Sequence, residues 1–415
     1  MNLSRRHLAL LEREEYGVCE KSDGERYMLL LQHGAGAGAG AGGRGVPAGA
    51  YLVSRNFGVS ALRGGEAYAG AMAAHGATLL DGELLRRTSD MGSGTGALAV
   101  YMVFDCVCAD GKDVAGQPLK ARLHELAARV REPFRALDDG LRAEGSPGLP
   151  LYILAKNIVS KGALGSVLDK IVTAAAAAAA HGGGGGGGLA PLESEVTAGN
   201  TAVHRLYRDG RRVNPTDGLI FTPGAASYRE LFQGQGGDEP ALPLIKWKFL
   251  DECTVDYALK AVDLERACRV GGGGGGGGGA SSSSSSGSGS SGGGRGAEGG
   301  LLWLPLSLRC KGSLMEIARC RLSLEQARGY LAMLERLPGD ADCLVVECAF
   351  EKECSAWGIR RVRVNKGVNA LRTGWSTLES LVEDVTEEEL VRRLRGDKRP
   401  PEAAPGPRAA AGAAE

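Results

Sequence analysis

Lys21 and Arg26 are the first residues whose types and spacing point to chemistry. They belong to Gly17–Leu31, G-V-C-E-K-S-D-G-E-R-Y-M-L-L-L, in which two apolar runs flank a polar centre. This pattern predicts a strand, a tight turn and a second strand. Gly24 allows a ligand to come close to the backbone, and the two cations surround the same bend. The arrangement suits a phosphate, but Ser-Asp-Gly with a solvated lysine is also ordinary turn chemistry.

Further polar centres occur within strand-like apolar runs downstream. They read T-L-L-D-G-E-L-L, Y-M-V-F-D-C-V, T-D-G-L-I-F-T-P and L-I-K-W-K, at Thr78–Leu85, Tyr101–Val107, Thr216–Pro223 and Leu244–Lys248. In the last of these, Lys246 and Lys248 alternate around Trp247, so they point to the same face of a strand. Two neighbouring lysines without an acidic partner repel each other, and we therefore expect an anion between them.

Taken in this order, the five stretches resemble the covalent nucleotidyltransferase superfamily of mRNA capping enzymes and polynucleotide ligases. K-S-D-G-E-R alone fits ligases too, whereas C-E-K-S-D-G-E-R-Y, D-G-L-I-F-T-P and K-W-K together favour the guanylyltransferases that cap eukaryotic mRNA. The resemblance implies an α+β fold: an ATP-grasp-like nucleotidyltransferase domain with antiparallel sheets, of the ligase and capping type, followed by a C-terminal OB-fold β-barrel.

The resemblance also implies a role for each polar residue. Lys21 would carry GMP covalently, and Lys246 and Lys248 would assist catalysis. The GTP-binding residues would be Arg26, Arg55, Glu83, Phe104, Lys156, Asp217, Arg361, Arg363 and Lys366. Asp217 and Glu83 would hold a divalent metal, Mg²⁺ or Mn²⁺, both of which prefer oxygen ligands.

Residue chemistry alone leaves plainer alternatives open for several positions. An aromatic residue such as Phe104 is more commonly part of a core. Arg55 follows a predicted strand and is equally well an exposed cation, and the carboxylates on either side of Gly82 are typical of a turn.

A lysine nucleophile must lose its proton before it attacks. Its ordinary pKa is about 10.4, and lowering it by about three units disfavours the ammonium form by roughly 4 kcal/mol. We expect Lys246, Lys248, Arg26 and a divalent ion to supply this effect and to stabilise the α-phosphate as pyrophosphate departs.

Composition limits the ways in which the chain can bind nucleic acid. Its 415 residues include 66 glycines, 49 Lys plus Arg and 49 Asp plus Glu, so no global positive field attracts RNA. Ten cysteines without a C-x-x-C pair predict buried thiols, not disulfides or a zinc site. The sequence has no uninterrupted apolar run of about 18 residues, so it predicts no membrane-spanning helix.

Low-complexity tracts divide the chain. We predict a nucleotidyltransferase domain at residues 1–250 with inserts at about 34–50 and 174–200, and an OB-fold domain at 251–373 with a Gly/Ser insert at 271–300. A C-terminal helix at 374–396 would pack on the first domain, and a disordered tail would follow at 397–415. The family usually has residues ahead of Met1, so we expect an incomplete N-terminus.

Periodicity predicts the individual elements. Helices are predicted at Ser4–Glu15, Pro118–Arg142, Lys161–Thr173, Leu324–Leu334 and Trp375–Leu394. Strands are predicted at Tyr51–Ser54, Ala97–Cys108, Leu151–Ala155, Leu301–Leu308, Leu314–Ala318, Cys343–Phe350 and Trp357–Val364.

The resemblance implies further partners and one departure from the family pattern. It predicts GTP and a 5′-diphosphate RNA as substrates, the phosphorylated C-terminal tail of RNA polymerase II and a separate RNA triphosphatase as partners, and the nucleus as location. The family usually has aspartate at the position of Asn365. Two alternatives stay open: an ATP-dependent polynucleotide ligase that uses the same lysine, and a module that binds RNA 5′ ends or a polymerase tail without turnover.

Overall fold

The computed structural model describes residues 1–33, 47–73, 75–85, 99–144, 149–173, 205–209, 212–232, 242–270, 301–337, 341–364 and 366–395. Most of the predicted glycine-rich inserts, the predicted tail and Asn365 lie outside these described residues.

The elements before residue 250 are mixed strands and short helices. The strands are β1 (Tyr16–Ser22), β2 (Glu25–Gln32), β3 (Gly49–Ser54), β4 (Val59–Ala61), β5 (Ala77–Leu85), β6 (Ala99–Ala109), β7 (Lys112–Asp113), β8 (Leu151–Ala155), β9 (Val159–Ser160), β10 (Ile171–Thr173), β11 (Arg205–Asp209), β12 (Arg212–Pro223) and β13 (Ile245–Lys248). The helices are α1 (Arg5–Arg13), α2 (Gly65–Met72), α3 (Leu119–Leu126), α4 (Glu132–Ala143), α5 (Leu164–Leu168) and α6 (Tyr228–Phe232).

These strands form two separate sheets. The first has the order β10-β11-β12-β1-β9, with β13 beside β12, and the second has the order β4-β3-β2-β5-β6-β7, with β8 beside β6. Their pairings are antiparallel except for β6 with β8. Each sheet has its own apolar core, one containing Phe221 and Trp247 and the other Tyr101 and Phe134. The predicted mixed α and β fold with antiparallel sheets is therefore present.

The stretch from Gly17 to Leu31 joins the two sheets. Its predicted strand, turn and strand are confirmed, but β1 pairs with β12 whereas β2 pairs with β3 and β5. The chain thus crosses from one sheet to the other at Asp23 and Gly24. Gly24 has no positive φ; a Cβ there would lie 2.8 Å from the Leu84 carbonyl oxygen. Glycine is required because β5 comes this close to the crossing.

A second glycine sets the spacing of three strands in the first sheet. Gly218 on β12 is in register with Lys21 on β1 and with Lys248 on β13. Its φ is 154°, and an added Cβ would lie 2.0 Å from the Trp247 carbonyl oxygen. Without a side chain at this position, β13 approaches β12 closely enough to place Lys21 and Lys248 beside the same residue.

The elements after residue 250 build a barrel and the C-terminal helices. They are β14 (Thr254–Lys260), α7 (Ala261–Val270), β15 (Leu302–Cys310), β16 (Ser313–Leu322), α8 (Leu324–Leu334), β17 (Cys343–Glu351), β18 (Ala356–Val362), α9 (Leu371–Glu383) and α10 (Glu387–Leu394). The strands close in the order β14-β15-β16-β18-β17, with α8 between the third and fourth strands in sequence. Ser323 caps α8 by accepting from the Gln326 backbone N–H.

The predicted helix at Trp375–Leu394 is wrong as one element, since the chain forms α9 and α10. Asp384 between them has φ 46°, which ends α9. The following residue, Val385, is buried, and its carbonyl accepts from the Trp247 indole N–H at 2.7 Å. That contact requires a bend. Leu390 on α10 then enters the core of the first sheet, so the C-terminal segment does pack back on it.

The predicted helix at Lys161–Thr173 is only partly correct. A 3-10 turn and α5 end at Leu168, and Ile171–Thr173 then forms β10, which pairs with β11. Two of its three residues are β-branched aliphatics followed by threonine, a composition that favours strands once a neighbouring strand is available. The other predicted helices and strands are confirmed to within a few residues at their ends.

All ten cysteines are free thiols; five of them are buried, as predicted, and the other five are partly exposed. In the part of the chain that the structure describes, no helix is both long and apolar enough to cross a membrane.

The close approach at Gly218 predicts a large effect of one methyl group. Gly218→Ala should lower the free energy of unfolding by roughly 2–3 kcal/mol, because β13 must move away from β12 or the backbone must strain. Gly140→Ala in α4 is the matched control: an added Cβ there meets nothing within 4 Å, so stability should rise by roughly 0.5–1 kcal/mol. Chemical denaturation measures both. Equal small effects of the two substitutions would contradict the packing argument.

Candidate active site

Lys21 and Arg26 lie on either side of the sheet crossing. Lys21 is the next-to-last residue of β1, and Arg26 is the second residue of β2. Because the two strands belong to different sheets, the two cations lie where the sheets meet. The sequence predicted two cations around one bend, and the structure shows that the bend is also the junction of the two sheets.

Asp217 joins two of the predicted lysines. Lys21 Nζ donates to both carboxylate oxygens of Asp217, at 2.7 and 2.9 Å. Lys248 Nζ lies 2.7 Å from Asp217 Oδ2. The three side chains are 18%, 13% and 29% exposed for Lys21, Asp217 and Lys248. A carboxylate between two ammonium groups in a partly buried setting is a strong ionic contact that remains open to a ligand.

Charge and burial act in opposite directions on this group. Burial alone would raise the pKa of Asp217, but the charges of Lys21 and Lys248 outweigh it and leave the pKa below its ordinary value. Burial likewise opposes the charged form of Lys248, and the Asp217 carboxylate raises the pKa of Lys248. At neutral pH, therefore, Asp217 is ionised and Lys248 is protonated.

The expectation that Lys246 and Lys248 have no acidic partner is wrong for Lys248. Its partner, Asp217, is far away in sequence and reaches it across the β12–β13 pairing. The prediction that only positive groups and a metal surround Lys21 needs the same correction, because a carboxylate contacts its amine directly.

Lys246 differs from its neighbour. Burial lowers the pKa of Lys246, and the charges of Lys21, Arg55 and Arg26 lower it further, with only Glu83 among the named groups opposing them. The lysine is thus close enough to three cations to interact with them. An anion placed among these groups would relieve their repulsion, as the sequence predicted for this position.

Arg26 is held by two residues that sequence reasoning missed. Its Nε donates to Asp81 Oδ1 at 2.9 Å, and its Nη2 forms a second bond to the same carboxylate. The Tyr228 hydroxyl donates to Asp81 Oδ2 at 2.8 Å. Asp81 is completely buried. The pattern T-L-L-D-G-E-L-L is typical of a turn around Gly82. Ala77–Leu85 is instead a strand, and Asp81 on this strand contacts Arg26.

Two aromatic rings border the Arg26 guanidinium. Its carbon lies 4.5 Å from the centroid of Phe232 and 5.8 Å from that of Phe104. Phe104 is partly exposed on β6, and Lys156 Nζ lies 5.9 Å from its centroid. Phe104 therefore keeps part of its surface exposed beside Arg26 and is not simply a core residue.

Glu83 and Lys156 contact each other next to the sheet crossing at Gly24. The Gly24 backbone N–H donates to Glu83 Oε1 at 3.2 Å, and Lys156 Nζ lies 3.5 Å from Glu83 Oε2. Lys156 also donates to the Glu20 carbonyl at 3.2 Å, and its side chain is fully buried. Glu83 thus links β5 to the sheet crossing and to Lys156.

Three predicted residues lie on the barrel or beyond it and are not brought to Lys21 by any contact in the described residues. Arg361 pairs with Glu347, and Arg363 Nη1 lies 3.1 Å from the same carboxylate. Lys366 follows β18, and its backbone N–H donates to the Arg363 carbonyl at 3.4 Å. Burial would raise the pKa of Glu347, but Arg361 and Arg363 outweigh this and lower it. Asn365, where the family usually has aspartate, lies outside the described residues.

The predicted metal ligands do not form a closed cation site. Within the described ranges no group of three or more His, Cys, Asp or Glu side chains is arranged to hold a metal. Asp217 is engaged by two lysines, and Glu83 by Gly24 and Lys156. Each of the two predicted ligands is thus already in contact with at least one lysine.

The segment between the first sheet and the barrel is fixed from both sides. Asp251 accepts two bonds from Arg205 Nη1, at 2.8 and 2.9 Å, and its backbone carbonyl accepts from Arg360. Glu252 lies 3.9 Å from Arg205 Nη1. Burial raises the pKa of Glu252 to about 7, with Asp251 and Asp217 adding to the rise while Arg360 and Arg205 oppose it.

Comparison with known families gives a match over the first part of the chain. Residues 1–173 match the family model described as mRNA capping enzyme, catalytic domain. That range contains the sheet crossing, Lys21, Arg26, Glu83 and Lys156. This part of the chain is thus related to the catalytic domain of mRNA capping enzymes, and the resemblance drawn from the motifs is confirmed.

Curated relatives specify the relationship further. The chain is 32% identical over 142 residues to the mRNA-capping enzyme subunit alpha of Neurospora crassa, covering 33% of each chain. It is 29% identical over 144 residues to the mRNA-capping enzyme subunit alpha of Schizosaccharomyces pombe, covering 32% of each chain. The matched segment spans about a third of the length of these relatives.

Solved structures of DNA ligases are more distant. A mycobacterial DNA ligase D complexed with ATP and MES is 15% identical, with 85% of this chain and 90% of that chain covered and a TM-score of 0.32. A Lig E DNA ligase is 14% identical, with 88% and 98% covered and a TM-score of 0.29. Scores this low do not establish a shared overall arrangement.

The buried Glu252 carboxyl predicts a pH dependence of stability. Because its folded-state pKa is raised from 4.5 to about 7, the folded protein binds more protons between these values, and stability falls as pH rises through this window. Glu252→Gln should therefore raise the free energy of unfolding by roughly 1–3 kcal/mol near pH 8 and by almost nothing near pH 5.

Asp251→Asn is the control, since it weakens the paired contact with Arg205 and should destabilise at both pH values. Denaturation curves at the two pH values measure both variants. A Glu252→Gln effect of the same size at both would show that the buried charge is not its cause.

Proposed function

We propose that this protein is an mRNA guanylyltransferase that transfers GMP from GTP, through a covalent lysyl-GMP intermediate, to the 5′-diphosphate end of RNA. The observation that supports it most directly is the Lys21 amine, held by Asp217 beside Lys248 at the junction of two sheets. This lysine lies inside the region that matches the capping-enzyme catalytic domain.

In the proposed first step, Lys21 Nζ forms a bond to the α-phosphorus of GTP while the bond to the β-phosphate oxygen breaks, releasing pyrophosphate. The amine must first give up a proton. Asp217 accepts hydrogen bonds from this amine at 2.7 and 2.9 Å, and it is the described carboxylate placed to receive that proton. In the second step the terminal phosphate oxygen of the RNA attacks the same phosphorus and frees Lys21.

The remaining cations would bind the phosphates. We propose that Lys246, Lys248 and Arg26 surround the phosphates, where their charge would stabilise the negative oxygens of the five-coordinate phosphorus. Arg26 would act from a fixed position, because Asp81 and Tyr228 hold it.

Asp217 and Glu83 fit a divalent ion only in the company of the nucleotide. Mg²⁺ is commonly bound by one or two carboxylates together with substrate phosphates, and these residues supply that number. We propose Mg²⁺ or Mn²⁺ as the ion, which would withdraw charge from the phosphate oxygens when bound.

Phe104 supports the choice of a purine nucleotide. Its partly exposed ring offers a face for stacking, and Lys156 Nζ lies 5.9 Å from the ring centroid. We propose that guanine stacks on Phe104 and that its carbonyl oxygen accepts from Lys156, an arrangement that adenine, which has an amino group there, would not satisfy.

We further propose that the barrel is an OB-fold that acts as a lid. Its strand order and the helix between its third and fourth strands support this assignment. Arg361 and Arg363 are paired with Glu347 on the barrel. Closure would bring them and Lys366 to the leaving pyrophosphate.

The cellular context rests on the relationship to capping enzymes alone. It includes a nuclear location, the phosphorylated tail of RNA polymerase II as a docking partner, and a separate RNA triphosphatase that prepares the 5′-diphosphate end. No residue of this chain is assigned to those contacts.

The test is covalent labelling. Incubation with α-labelled GTP and Mg²⁺ or Mn²⁺, followed by denaturing electrophoresis, should leave acid-labile label on the wild-type chain. Lys21→Ala should reduce the label by at least about a thousandfold, because it removes the attacking atom. The matched control is Lys120→Ala, an exposed lysine on α3, which should label normally.

Three outcomes would contradict the proposal in different ways. Label from ATP in preference to GTP would identify a ligase-type enzyme. Label that persists in Lys21→Ala would assign the nucleophile elsewhere, and no label from either nucleotide would leave only a binding module.

A further inference from the structure

The turn between β3 and β4 carries an aromatic side chain to which the fold gives no role. Phe57 is 86% exposed, and its φ of 59° lies in the left-handed region. That backbone conformation is unfavourable for a residue with a Cβ, and an exposed phenyl ring contributes almost no burial. Glycine or asparagine would serve the turn better, so the ring itself requires an explanation.

Hydrogen bonds fix the turn that presents the ring. The Phe57 N–H donates to the Ser54 carbonyl at 3.0 Å, and the Ser54 N–H donates to the Gly58 carbonyl at 2.9 Å. The Gly58 N–H also donates to the Ser54 hydroxyl at 3.0 Å. A ring displayed from a preorganised turn loses little further backbone freedom when it binds a ligand.

The same hairpin is locally basic, although the chain as a whole has no net charge. From residue 51 to residue 65 the charged residues are Arg55 and Arg63, with no acidic residue among them. Both are exposed, and in the described residues neither has an ion-pair partner. Cations next to an exposed ring are complementary to single-stranded RNA, because the cations attract its phosphates and the ring can stack on its bases.

The hairpin also lies next to the active-site cations. On β3, Ser54 lies opposite Tyr27 of β2, so Arg55, the next residue of the chain, follows on the side of Arg26. Phe57 follows Arg55 by two residues, within about 7 Å along the chain. The turn that carries the ring is therefore next to the strand that carries Arg26.

We propose that Phe57 binds the acceptor RNA by stacking on a base near its 5′ end, while Arg55 and Arg63 attract the RNA phosphates. This inference rests on the proposed guanylyltransferase function, since it assigns the second substrate to a position at that site. Stacking on an aromatic ring tolerates any base, which suits an enzyme that acts on many RNA sequences. It also gives a neutral protein a local means to hold RNA.

The experiment separates the two chemical steps. Wild-type protein and Phe57→Ala are first converted to the GMP adduct with α-labelled GTP, then mixed with increasing amounts of a short 5′-diphosphate oligoribonucleotide, and single-turnover transfer is followed. Phe57→Ala should form the adduct at the wild-type rate but need about tenfold more RNA for half-maximal transfer. Phe57→Tyr, which keeps a stacking ring, should behave as wild type.

Val59→Ala is the matched control, because Val59 is an exposed apolar residue on the same hairpin, 63% accessible. It should change neither step. Fluorescence anisotropy with the same labelled oligoribonucleotide and no GTP should show the same loss of affinity for Phe57→Ala.

The outcomes distinguish this inference from the function on which it rests. Wild-type protein that takes no label from GTP would refute the function, and the anisotropy measurement would still test RNA binding by Phe57. The RNA-binding role of Phe57 would be refuted, and the guanylyltransferase function kept, by a different result. In that case wild type and Phe57→Ala would both label normally, and their transfer and binding curves would superimpose. An equal loss in Val59→Ala would refute that role too, since it would show a general disturbance of the hairpin.

Discussion

The contact between Asp217 and the two lysines is the interaction on which the site depends. It connects three adjacent strands, because Lys21 lies on β1, Asp217 on β12 and Lys248 on β13. The register that aligns Lys21, Gly218 and Lys248 brings the charges together. A shift of one residue in any of these strands would turn a side chain to the opposite face and remove it from the group.

This contact also bears on the proposed chemistry. Attack on phosphorus requires the neutral form of the Lys21 amine, so the reaction must remove a proton from it. Asp217 accepts two hydrogen bonds from this amine. In the proposed reaction it would orient the amine first and receive the proton during the attack.

The sequence predicted the parts of this structure that depend on local pattern. The elements around Lys21, the strand that carries Lys246 and Lys248, and the helix at Leu324–Leu334 follow from periodicity and turn residues. Pairings across strands could not be read in the same way. Asp217 as the partner of Lys248, and Asp81 as the partner of Arg26, are each separated from those residues by long stretches of chain. Neither has a local signal beyond being an acidic residue in an apolar run.

The break between α9 and α10 was not predicted, for a related reason. The sequence from Trp375 to Leu394 has helical periodicity throughout, but Asp384 has φ 46° and Thr386 caps α10, so one helix ends and another begins here. The bend places the Val385 carbonyl at the indole N–H of Trp247, a contact that periodicity cannot show.

The most direct measurement locates the nucleotide on the chain. Tandem mass spectrometry of peptides from protein incubated with GTP and a divalent ion should find a GMP adduct on the amine of Lys21, and the yield should fall sharply in Asp217→Asn. An adduct on Lys246, on Lys248 or on no lysine at all would contradict the account of how this site works.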